Sequence, residues 1–242
     1  MMLKIFVIVF NFCVLNLLNA GDGKSLIKEF ENLYYPQLKN GIYAFKMNFK
    51  INVKNNLEES VGLRIINVDN KDVRLIYMSG SKTDFAFLSI RNKGHFMLGR
   101  QAKIPIKVSS SYKVKGASEL KDVLGLNFNT DFVLLKSEDN RVEFQSKEKS
   151  IYPFVDLLKI NKNDFKTLHK DKKLKILKEV IYRKGNIKGI DAFVYFEIED
   201  KAFNDSSTKI YVENIISTNL NNSIFSLKGF NRIFDLYSRY IN

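Results

Sequence analysis

The chain has 242 residues, with 39 Lys and Arg against 26 Asp and Glu, a formal charge of +13. Forty-five per cent of it is hydrophobic, with 20 Phe and 11 Tyr, which excludes general disorder and supports a packed core. The lysines are scattered singly among Asn, Ile and Phe, so the charge does not by itself point to nucleic acid.

Residues 1–20 read MMLKIFVIVFNFCVLNLLNA. One charge, Lys4, precedes an apolar run from Ile5 to Leu18, and small Ala20 ends the segment. That order of charged, apolar and small residues predicts a cleaved export signal. The run is short for a bilayer span, which needs about 20 apolar residues. Its removal would take the only cysteine, Cys13, and leave residues 21–242 as one disulfide-free domain held by its core.

Leu26, Ile27, Phe30, Leu33 and Tyr34 recur at helical spacing and predict an amphipathic helix ending at Pro36 and Asn40-Gly41. The period then changes to two. Tyr43, Phe45, Met47, Phe49, Ile51 and Val53 alternate with Lys46, Asn48, Lys50, Asn52 and Lys54. This predicts a long strand in an antiparallel sheet covered on one side. Turn-rich breaks separate further strands at 61–68, 73–78, 84–90, 95–98 and 104–108, as in a meander. Later strands are expected at 132–136, 142–146, 152–160, 175–183, 192–199 and 207–214, with a break over 161–171. Leu120, Val123, Leu124 and Leu126 predict a short helix, and Phe230, Ile233, Phe234, Tyr237 and Ile241 a terminal one.

Enzyme signatures are sparse. His95 and His169 are the only histidines, and no zinc-type cluster, nucleophile elbow or phosphate-binding glycine loop occurs. The sequence is therefore read as non-catalytic, with no catalytic residue, metal or other cofactor. The one dense basic run, His169-Lys170-Asp171-Lys172-Lys173 with Lys175 and Lys178, suits anionic lipid head groups or an acidic partner.

One stretch resembles a known family. Residues 94–132 place Phe96-Met97-Leu98 before a basic turn (Arg100, Lys103) and a β-segment, Ile104–Val108. A Ser-rich turn, Gly116, a short helix, Asn127-Phe128 and Asp131-Phe132 follow. This block, with Thr208–Phe225 downstream, is similar to the LolA-like superfamily of outer-membrane lipoprotein-sorting proteins over residues 25–228. Gly99-Arg100 stands where that pattern has a proline, and the tail Lys228–Asn242 is additional.

The resemblance implies a mainly β fold: a strongly curved antiparallel sheet, an incomplete barrel, with short amphipathic helices over its concave apolar face. It implies a periplasmic monomer that carries lipoprotein acyl chains, or other lipid, toward the outer membrane. Inner- and outer-membrane transfer partners and transient membrane contact follow from it; nucleic acid does not. The expected cavity wall is Phe45, Met47, Phe49 and Ile51, continued by Val73, Leu75 and Tyr77. Leu120, Val123 and Leu124 are the expected lid, and Arg100 the residue tying rim to lid. Met47, Met78 and Met97 suit an adaptable pocket and also an ordinary core. The competing reading is a sensor or scaffold module of the same fold that binds a protein.

Overall fold

The computed structural model describes residues 23–54, 56–70, 72–79, 84–202 and 206–235. The expected export signal and the end of the expected terminal helix lie outside these. Helix α1 spans residues 23–34. Strands β1 (Ile42–Val53), β2 (Asn56–Asn67), β3 (Val73–Met78), β4 (Phe85–Ile90), β5 (Gly94–Gly99) and β6 (Ile106–Val108) follow as a meander. A small ribbon of β7 (Lys113–Lys115) and β8 (Ser118–Glu119) leads into α2 (Leu120–Leu124) and α3 (Phe128–Asp131). A second meander runs through β9 (Phe132–Glu138), β10 (Arg141–Ser146), β11 (Phe154–Lys159), β12 (Asp164–Lys170), β13 (Ile176–Ile187), β14 (Ile190–Asp200) and β15 (Ser206–Thr218).

The two meanders form one antiparallel sheet of 13 strands in the order β6-β5-β4-β3-β2-β1-β15-β14-β13-β12-β11-β10-β9. β15 returns to pair with β1, Phe45 opposite Ile215 and Phe49 opposite Ile210, and so joins them. The sheet is curved but does not close, and β6 and β9 are its two edges.

The concave face carries the main core. Phe30 of α1 is fully buried and meets the rings of Phe128, Phe165 and Tyr182 edge-on at 4.9–5.9 Å. Such pairs add about 0.5–1.5 kcal/mol each beyond area burial. Phe45, Met47, Phe49 and Ile51 of β1 lie in the same cluster with Leu120, Val123 and Leu124 of α2.

Cover on one side only does not hold along the whole sheet. Over β1–β5 the convex face is also buried, by Ile224 and Phe225 and by Phe230, Ile233 and Phe234 of the C-terminal segment. The strands show why: β2 buries Gly62 through Asn67 in succession, and β3 buries Val73 and then Leu75 through Met78. A strand apolar on both faces needs cover on both. The one-sided reading was drawn from β1, whose outward residues beyond Ala44 are polar.

Strand β12 occupies most of the expected break at 161–171. Its inward residues are Phe165, Thr167 and His169, two of them polar, so no apolar alternation marked it.

Candidate ligand site at the open side of the barrel

The segment from β8 through α3 crosses the concave face, where Leu120, Val123, Leu126 and Phe128 enter the core and polar contacts add further ties. Tyr34 and Tyr35, at the end of α1, donate their hydroxyls to the carbonyls of Asp122 and Leu124. Arg74 on β3 donates Nη1 to the carbonyls of Leu124 (3.4 Å) and Gly125 (3.3 Å) and stacks over the Tyr35 ring at 4.5 Å. Arg64 on β2 is buried between the rings of Phe45 (4.5 Å) and Tyr34 (4.9 Å), and its Nη2 donates to the Tyr34 carbonyl at 3.0 Å. Gly125 ends α2 at φ +98°, where an added Cβ would run into the Tyr35 hydroxyl and the Tyr34 ring. Close approach of that backbone requires glycine.

Beneath this segment lies a buried charge network. Lys178 on β13 is fully buried and donates to Asp122 (2.5 Å) and Glu119 (3.2 Å). Lys121 also meets Glu119 at 3.2 Å, and Lys113 meets Asp200 at 2.5 Å. Tyr152 donates to Asp200 at 2.9 Å. Three lysines thus face three carboxylates.

Burial pushes the Glu119 carboxyl up, but Lys178, Lys121 and Lys113 outweigh it and hold it below the ordinary value. Burial works against the Lys178 ammonium, yet Asp122 and Glu119 raise its pKa above the usual lysine value. His169 is fully buried beside them, with Nε2 3.0 Å from Thr167 Oγ1. Burial first, and then Lys178, Lys121 and Lys113, hold it well below the usual histidine range, so it is neutral. Charges removed from water to this degree are tolerated only when each is paired, because an unpaired one would carry the full desolvation cost.

A cavity of about 590 Å³ lies at the gap between the sheet edges. One lip is formed by Ser89 through His95 and by Lys107, Val108, Ser109 and Ser110; the other by Thr130, Asp131, Phe132, Ser146, Glu148 and Tyr152. Leu124, Gly125, Leu126 and Asn127 form its floor. The Ser110 hydroxyl donates to Glu148 across the gap at 3.0 Å. The wall is amphipathic: Ile90, Val108, Leu124, Leu126, Phe132 and Val155 face it, and so do Arg74, Arg91, Lys93, Lys107 and Lys121. Its volume is in the range of small-molecule sites, about 300–1,000 Å³.

The structure brings only part of the expected site together. Phe45, Met47, Phe49 and Ile51 do share a face, but they are at most 2 % exposed and do not border the large cavity. The bowl over β1 is filled, by α1 and by the ribbon whose Gly116 sits against Ile51 and Thr208. Leu120, Val123 and Leu124 turn toward this core, and Leu124 also reaches the cavity floor.

Val73, Leu75 and Tyr77 do not continue the wall. They lie on the convex face, in the second cluster. Phe45 pairs with Arg64 and Arg64 with Ile76, so the residues of β3 that share the face of Phe45 are Arg74, Ile76 and Met78. Two hairpin registers decide this, and a shift of one residue in either would reverse it.

Arg100 is exposed and pairs with Asp84 at 3.0 Å, away from α2. Arg74, which sequence reasoning missed, makes the contact assigned to it. Its mark in the sequence was a lone charge on the inward side of an otherwise apolar strand.

No family model and no curated protein matches the sequence. Solved structures do resemble the fold. A LolA superfamily protein from Nitrosomonas europaea superposes with a TM-score of 0.67 at 16% identity, covering 85% of this chain and 97% of that one. An outer-membrane lipoprotein-sorting protein domain from Vibrio parahaemolyticus gives 0.66 at 14% identity, over 87% and 98%. A DUF1329 family protein from Desulfovibrio piger gives 0.63 at 16%, over 84% and 95%. The fold is therefore LolA-like. At these identities the likeness establishes architecture alone.

Proposed function

We propose that this protein is a non-catalytic carrier that holds the acyl chains of a lipoprotein or related lipid. The carrying observation is the cavity of about 590 Å³ at the unclosed side of the sheet, floored by Leu124 and Leu126. An acyl chain costs about 0.8 kcal/mol per methylene to expose to water, so a lipid with several chains needs an apolar shelter to cross an aqueous space. The segment from β8 through α3 lies between the cavity and the aromatic core. Its displacement would extend the space toward Phe45 and Phe49. The fold shared with a lipoprotein-sorting domain supports this reading. The apolar run in residues 1–20 supports export, and the carrier is assigned to the periplasm with delivery toward the outer membrane.

The test is extraction of the purified protein with organic solvent and mass spectrometry of the extract. Acyl lipid near one equivalent is expected. Ser109→Trp, which sets an indole at the cavity mouth, should lower it at unchanged thermal stability. An extract without lipid, from a protein that also takes up no added lipid, would reject the carrier.

A second reading is favoured by β9, an edge strand whose Val133, Leu134 and Leu135 are all exposed. Unpaired apolar edges accept a partner's strand. A scaffold of this kind would hold one protein through β9 and yield no lipid.

A further inference from the structure

The basic run near residue 170 divides in the fold. His169 and Lys178 are buried, and Lys170 is tied to Asp156 at 2.5 Å. The remainder forms the turn between β12 and β13. There Asp171 accepts the backbone N–H of Lys173 (2.8 Å) and of Lys175 (2.9 Å), which makes the turn rigid. At its tip Leu174 is 61 % exposed and held at φ +63°. That left-handed conformation is unfavourable for leucine and natural to Asn or Gly. Lys172, Lys173 and Lys175 surround it, all exposed, with no acidic partner among the described residues. A strained, solvated leucine inside a cationic ring does nothing for folding.

The neighbouring turns at the same end of the sheet repeat the chemistry. The strand order makes the β1–β2, β14–β15, β12–β13 and β10–β11 connections consecutive there. Leu57, at the start of β2 and three residues after Lys54, is exposed, and so is Ile151, two residues after Lys149.

We propose that this rim docks reversibly on a bilayer containing anionic phospholipid. Leu174 enters the boundary between head groups and acyl chains while the lysines lie against the phosphates. The exposed apolar side chains come from separate connections: Leu174 and Ile151 lie on turns, and Leu57 lies with Val53 at the hairpin end of β1 and β2. A fluid surface accommodates such separate points, whereas a protein partner needs contiguous area.

The test is flotation of residues 21–242, which carry every described element, with vesicles of phosphatidylcholine alone or mixed with phosphatidylglycerol. Binding is expected only to the mixed vesicles and should be lost at high salt. Leu174→Asn suits the left-handed position, so it should raise the thermal midpoint while weakening binding about tenfold. Lys172, Lys173 and Lys175 changed together to Ala should weaken it roughly 100-fold. The proposal is overturned if the wild-type protein ignores phosphatidylglycerol. It is equally overturned if both variants bind like wild type. Competition by soluble polyglutamate as effective as the vesicles, with Leu174→Asn without effect, would assign the rim to an acidic polypeptide instead.

Discussion

Lys178 Nζ lies 2.5 Å from Asp122 Oδ2, and both side chains are fully buried. The contact joins the beginning of a long strand to a five-residue helix too short to be stable alone. Asp122 also accepts the Glu119 N–H at 2.7 Å, so a single carboxylate caps α2 and anchors it to β13. The position of α2 over the core therefore depends on ion pairing as well as on Leu120 and Val123.

Lys178→Ala removes the cation and leaves Asp122 and Glu119 buried beside it. The expected loss is about 3–5 kcal/mol in urea unfolding. Lys175→Ala, on the exposed turn, should change stability by less than about 0.5 kcal/mol. Similar losses from the two would mean that the network is solvated in solution.

His169 gives the fold a dependence on pH. Its folded pKa is depressed, chiefly by burial, so the unfolded chain binds the proton first. Its contribution is complete above about pH 6.5 and declines below that, by up to about 1.4 kcal/mol per pH unit. Glu119, held low by its lysines, adds a loss of the same sign below about pH 4.5. His169→Gln should flatten the stability curve between pH 6.5 and 5. A wild-type curve already flat in that window would contradict the assignment.

Gly125 and Arg74 fix the C-terminal end of α2. Gly125→Ala meets a positive φ, the Tyr34 ring and the Tyr35 hydroxyl, and should cost about 2 kcal/mol or more. Arg74→Ala should act locally. Amide exchange should accelerate over 120–131 and stay unchanged in β1 and β15, because the segment would open without global unfolding. Uniform acceleration would show that the segment is not a separable unit.

The C-terminal segment covers the convex face through Phe230, which is fully buried with Leu75 and Tyr77. Phe230→Ala should cost about 3–5 kcal/mol by thermal or urea melting, the range for a large core aromatic. A loss below about 1 kcal/mol would place the segment off the sheet in solution.

Much of the sheet could be read from the chain because β1 alternates from Phe45 to Val53 and most turns carry Asn, Asp or Gly. The amphipathic stripes of α1 and α2 were equally visible. What escaped depends on distances that no local pattern records. Nothing near Val73 shows that its face is opposite to that of Phe45, since two registers intervene. Lys178 and His169 looked like parts of a solvated basic run, and only the fold shows them buried against Asp122 and Glu119. The candidate cavity was also illegible. Its lips come from opposite ends of the sheet order, and many of its polar wall residues, Arg91, Asn92, Lys93, Ser109, Ser110 and Glu148 among them, fall between the expected elements.

The central claim is that the gap between β6 and β9 receives an acyl chain. A fatty acid bearing a photoreactive group midway along its chain, irradiated with the protein and followed by peptide mass spectrometry, tests it most directly. Label is expected on Val108, Leu124, Leu126 and Phe132, and should vanish when unlabelled lipid competes. Saturable label confined to other surfaces, with none at these four residues, would contradict it.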